Sequence, residues 1–65
     1  MKAMILELRT PGKFEQIRLY DSIYTHYTEE DGVVGSRTVE YGKAGLTREQ
    51  CLRAYQEIGF EEVTQ

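Results

Sequence analysis

Apolar and polar residues alternate almost from the start of the chain, with Met4, Leu6 and Leu8 interleaved with Ile5, Glu7 and Arg9. A period of two is that of a strand with one buried face. The alternation breaks at Thr10-Pro11-Gly12-Lys13, where Pro and Gly suit the two central positions of a tight turn. A return strand over 14–20 then sets Ile17 and Leu19 on one face, with Phe14, Gln16, Arg18 and Tyr20 on the other. A third strand is expected over 22–28, rich in Ile, Tyr and Thr, and Glu29-Glu30-Asp31-Gly32 turns it into a fourth over 33–41. Gly35 is expected to mark a bulge, and residues 60–63 to add a short edge strand. A competing period runs through the same region. Ile17, Tyr20, Ile23, Tyr24 and Tyr27 also fit a helical stripe, with Thr10-Pro11 as cap and first position, so a helix over 13–28 is the rival reading. The β-branched and aromatic content favours strands.

The period changes at Thr47. Thr47 caps the free N–H groups of a helix, Gln50 three residues on reaches back, and Leu46 is placed to staple onto Cys51. Gly59 suits the left-handed residue that closes a helix, and Phe60 after it folds back onto Tyr55 in a Schellman ending. Between these signals, residues 48–58 put Cys51, Ala54, Tyr55 and Ile58 on one stripe with Leu52 beside it. Glu49, Arg53, Gln56 and Glu57 point away, with Glu49 and Arg53 spaced to pair. The elements together predict an α+β fold. It is a single small domain over 1–65, a four-stranded antiparallel β-meander with one C-terminal α-helix packed on one face.

Composition narrows the function classes. A chain of 65 residues buries only about 60% of the surface it exposes when unfolded, so a core of this size is marginal on its own. One cysteine excludes an internal disulfide, and no cysteine–histidine cluster offers a structural metal. Association remains as the staple, with a protein partner or as a homodimer. The net charge of −3 disfavours broad binding to nucleic acid or to anionic membranes. The stretch Met1-Lys2-Ala3-Met4-Ile5-Leu6-Glu7 meets charge too soon for a signal peptide or a membrane span, so a soluble, cytoplasmic protein is expected.

A helix lying on one side of this sheet leaves the other side open. Phe14, Arg18 and Tyr20 then point outward, with Tyr24 and His26 beside them if the alternation carries across Asp21-Ser22. These five are the expected partner-binding residues, because Tyr, Phe and Arg supply area and directional contacts at protein interfaces. The plainer alternative is that the rings flank the core and cover backbone. A second candidate is Tyr41-Gly42-Lys43-Ala44-Gly45-Leu46-Thr47-Arg48. Here a glycine-bearing loop enters a helix N-terminus, and Lys43 and Arg48 supply charge for an anion such as phosphate. Its spacing meets neither the Walker nor the dinucleotide pattern, and the same residues also serve simply to shape a turn and cap a helix. No cofactor is expected.

Catalytic and metal readings are weaker. Cys51 lies on the buried stripe, which makes it a packing residue. His26 is the only histidine, and Ser22 and Asp21 nearby in sequence do not complete a triad. Glu29-Glu30-Asp31 lacks the spacing of an oxygen-ligand loop. A short chain without a cleft is not expected to be an enzyme.

Lys13-Phe14-Glu15-Gln16-Ile17-Arg18-Leu19, followed by Tyr41-Gly42-Lys43-Ala44-Gly45, faintly resembles the strand and the Trp-Gly-Arg-type loop of WGR domains. Those are nucleic-acid-binding modules often attached to DNA-repair enzymes. Tyr41 and Lys43 stand where that motif has Trp and Arg, and Thr47 opens the helix where the family has a further strand. The leading expectation is a non-enzymatic protein-interaction module, a small regulator or inhibitor of a larger complex, acting through the aromatic sheet face or a strand edge. The resemblance implies the alternative, a nucleic-acid or phosphate-ligand binder using the Gly42-Lys43-Ala44-Gly45 loop and the helix N-terminus.

Overall fold

Strands β1 (Met4–Thr10), β2 (Lys13–Leu19), β3 (Ile23–Glu30) and β4 (Val33–Glu40) follow one another as antiparallel hairpins. A single helical turn, α1 (Tyr41–Ala44), leads to helix α2 (Arg48–Glu57) and a last strand, β5 (Glu61–Val63). This computed structural model describes residues 3–63. The sheet therefore has five strands, in the order β4-β3-β2-β1-β5, where the meander predicted four. The short edge strand expected after the helix is β5, which pairs Ile5 with Val63 and Glu7 with Glu61.

Local chemistry explains each turn. Thr10 lies opposite Lys13, and Gly12 at φ 78° takes the positive angle that a type II turn requires after Pro11. Glu30 lies opposite Val33, and both residues between them, Asp31 (φ 52°) and Gly32 (φ 79°), are left-handed. That is the type I′ turn, whose twist matches the strands it joins. Residues 13–19 and 23–30 are thus strands joined by a bend at 20–22, and the helical stripe through Tyr20, Tyr24 and Tyr27 is a coincidence of spacing.

Two other expectations change. The β3–β4 register runs without interruption through Thr28 opposite Gly35, so Gly35 carries no bulge; a Cβ there would come within 3.2 Å of Thr28 Oγ1. The fourth strand stops at Glu40 because Tyr41 turns inward and starts α1, closed by Gly45 at φ 70°.

Helix α2 has the predicted caps but ends at Glu57, one residue short of the expected Ile58; Ile58 is the C-cap and, like Ala54, is exposed, so of the expected stripe only Cys51, Leu52 and Tyr55 turn toward the core. Thr47 Oγ1 accepts the Gln50 N–H at 3.1 Å, and Gln50 Oε1 accepts the Thr47 N–H at 2.9 Å. At the other end Gly59 (φ 110°) donates to the Gln56 carbonyl and Phe60 to that of Tyr55, the two bonds of a Schellman motif. The Phe60 and Tyr55 rings meet edge to face at 5.2 Å. Helix and sheet share one core: Leu6, Ile17 and Leu19 are fully inaccessible, with Tyr24, Tyr41, Cys51 and Phe60 around them.

Candidate functional site

The sheet has two unlike faces, and pairing decides which residue belongs to which. Leu19 lies opposite Tyr24 and Ile17 opposite His26. Residues directly opposite in an antiparallel pair share a face, so Tyr24 and His26 join Leu19 and Ile17 on the helix side. The expectation that Tyr24 and His26 stand beside Phe14, Arg18 and Tyr20 is therefore corrected. An even number of residues separates Leu19 from Tyr24, so the hairpin pairs odd positions of β2 with even positions of β3. Strict alternation through Asp21-Ser22 would have kept even with even.

The helix-side pair is structural in its contacts. Tyr24 is 5% exposed, accepts a hydrogen bond from the Tyr55 hydroxyl at 3.1 Å, and packs against the Tyr41 and Tyr55 rings. His26 Nε2 lies 2.9 Å from Glu15 Oε1, and its ring meets Tyr55 and Phe60 edge-on. Burial, reinforced by the bond to Tyr24, holds the Tyr55 phenol far above its ordinary range, against the opposing pull of Arg37. Burial likewise raises Tyr41, whose hydroxyl donates to the Tyr20 carbonyl at 3.0 Å, and raises the Cys51 thiol. A raised thiol 4% exposed is a poor nucleophile.

The helix-free face carries the remaining predicted residues. Arg9 lies opposite Phe14, and its guanidinium sits 4.4 Å from the centre of that ring. Tyr27, diagonal to Phe14 on β3, meets it edge to face at 6.2 Å. Beside this stack Arg18 donates to Gln16 at 2.8 Å, and Gln16 donates to Glu7 at 2.9 Å. Phe14, Arg18, Tyr20 and Tyr27 rim one shallow depression of about 490 Å³. Sequence reasoning missed Tyr27 and Arg9 here. No signal in the Asp21-Ser22 loop marks the register that turns Tyr27 to this face, whereas the Thr10–Lys13 turn, which sets Arg9 opposite Phe14, could have revealed Arg9.

The loop before α2 brings its two cations to different tasks. Lys43 pairs with Glu40 at 3.4 Å on the surface. Arg48 is half-buried beside Tyr41, and its Nε is enclosed with no hydrogen-bond partner. The capping box already engages Thr47 and Gln50, and Glu49 adds a negative charge to the first turn. Among the described residues no group of three His, Cys, Asp or Glu side chains is arranged to hold a metal ion. No helix there is long and apolar enough to cross a membrane. No protein-family model matches the chain, and no curated protein or solved structure is significantly similar to it.

Proposed function

We propose that this chain is a non-enzymatic protein-interaction module, a small regulator or inhibitor that docks on a larger partner through the helix-free face of its sheet. The observation that carries this reading is the Arg9–Phe14–Tyr27 stack with Arg18 and Tyr20 at its side, on a face that no helix covers. Rings prepositioned by cross-strand contacts lose little side-chain entropy on docking, and Arg18 offers a guanidinium for a partner's carboxylate. A module of this kind binds a protein partner, or itself as a homodimer, and needs no cofactor.

The test is affinity capture from the native host, identification of the bound protein, and titration of that protein in purified form. Tyr27→Ser and Arg18→Glu are expected to weaken binding by about tenfold or more each, whereas Lys43→Glu leaves it unchanged. Unaltered affinity in both face variants refutes the reading.

The nucleic-acid alternative draws on the same rings, since aromatic and arginine planes also stack bases. The acidic balance of the chain and the pairing of Lys43 with Glu40 work against it. Fluorescence anisotropy with DNA and RNA separates the two. Phosphate-driven binding falls steeply with salt, and micromolar or tighter binding at physiological salt would favour the alternative.

A further inference from the structure

The two edges of the sheet are built differently. Among the described residues β5 has three, two of them glutamates, and charge is a usual protection of an edge strand. β4 has eight residues, no proline and no bulge, and it bears two large, well-exposed apolar side chains, Val33 at 72% and Val34 at 58%. The Tyr41 N–H, which continues the β4 register, donates to the Ser22 carbonyl. In the β4 ladder odd-numbered residues therefore turn their backbone groups toward β3, and Val34, Ser36, Thr38 and Glu40 turn theirs outward, where no described strand pairs with them.

We propose that this edge pairs antiparallel with the β4 edge of a second copy, about a two-fold axis at Ser36, joining two sheets into one. This goes beyond the docking of the helix-free face on a larger partner: it concerns a different surface, the β4 edge, and its occupant is a second copy of this chain. A two-fold perpendicular to the sheet keeps each face continuous, so residues of like parity must oppose each other. An axis at Arg37 would set two guanidinium groups directly opposite at the closest cross-strand spacing, which is unfavourable. An axis at Ser36 opposes Ser36 with itself, Val34 with Thr38, and Val33 with Val39, and sets Arg37 against Gly35, where no side chain obstructs it.

A second observation agrees with that register. Beside the end of the edge lies a shallow recess of about 470 Å³ lined by Thr38, Val39, Glu40, Lys43 and Ala44. Pairing about Ser36 brings the exposed Val33 of the second copy to Val39, a wall of that recess. Both helices then lie on one side, and the two aromatic faces form one surface on the other. An edge of one strand buries less than a standard interface, so dissociation constants of about 10–500 μM are expected.

Sedimentation velocity across that concentration range tests the proposal, with circular dichroism to confirm folding of each variant. Wild type is expected to show a reversible monomer–dimer equilibrium. Ser36→Glu and Ser36→Lys, at an exposed position, are each expected to be monomeric, and their equimolar mixture to recover the dimer. Val33→Asp is expected to weaken wild-type association by about tenfold or more. A monomeric wild type, dimers that persist in both Ser36 variants, or a mixture that fails to associate would overturn the proposal. Because Ser36 also lines the helix-free depression, Arg18→Glu and Tyr27→Ser serve as controls: they are expected to leave this dimer intact, and loss of the dimer in either would place the contact on that face and overturn the proposal. Failure of the edge is thereby distinguished from failure of the helix-free face, which those two variants test against the captured partner.

Discussion

Replacing Gly59 by valine tests the link between the helix ending and the core. Gly59 sits at φ 110°, beyond the narrow left-handed region that side-chain-bearing residues tolerate. Space is not the obstacle, since a Cβ there would meet Leu8 Cδ1 at 3.5 Å, an ordinary contact. The penalty is conformational, about 1–3 kcal/mol for holding a residue in a sparsely populated region. Restricting the unfolded chain offsets about 0.4–1 kcal/mol of it. The net for alanine is about 1–2 kcal/mol, and for β-branched valine about 2 kcal/mol or more. The lost geometry also carries the Gln56 and Tyr55 carbonyl bonds and the seat of Phe60, which is 4% exposed. In a domain of this size about 1 kcal/mol moves Tm by roughly 4–8 °C. Urea titration and thermal melts followed by circular dichroism should therefore rank wild type above Gly59→Ala, and Gly59→Ala above Gly59→Val. Equal midpoints for all three would refute the argument that Gly59 ends the helix and seats Phe60.

Three further outcomes are expected. Tyr41, Tyr55 and Cys51 all titrate higher when folded, so above the ordinary thiol and phenol values the unfolded chain holds fewer protons than the native one. Stability should therefore be intact at neutral pH and fall as pH rises from about 9; melts from pH 7 to 11 check this, and a flat profile contradicts it. Tyr55→Phe removes the donor to the Tyr24 hydroxyl, at an expected cost of about 1 kcal/mol by urea titration, with little further loss in the Tyr24→Phe double variant. Cys51→Ala should cost about 1 kcal/mol through lost packing while leaving partner binding unchanged; rapid native-state labelling of Cys51 by a thiol reagent, with loss of binding, would show that the thiol is exposed and used.

Much of the architecture was decided locally. Pro11-Gly12 and Asp31-Gly32 define turns because only particular residues take positive φ cheaply, and Thr47, Gln50, Gly59 and Phe60 mark helix ends because each meets its partner within a few residues. Such interactions are readable from spacing alone. The assignment of Phe14, Arg18 and Tyr20 to the helix-free face followed the same logic, through one hairpin with a recognisable turn.

What the tertiary structure decided depends on pairing at a distance. The loop at Asp21-Ser22 carries no signature that fixes its length, and a change of one residue there exchanges the faces of β3; the register Leu19–Tyr24 therefore put Tyr24 and His26 in the core and Tyr27 outside. Tyr41 left the strand because its ring had a place beside Tyr24 and its hydroxyl a partner in the Tyr20 carbonyl, neither visible in its neighbours. The short strand expected after the helix forms as β5, but which edge it joins was decided at a distance: the Schellman turn delivers Glu61-Glu62-Val63 to the open edge of β1. Sequence fixes which backbone angles and periods are cheap, whereas the choice among faces and edges is made by the packing of residues far apart in the chain.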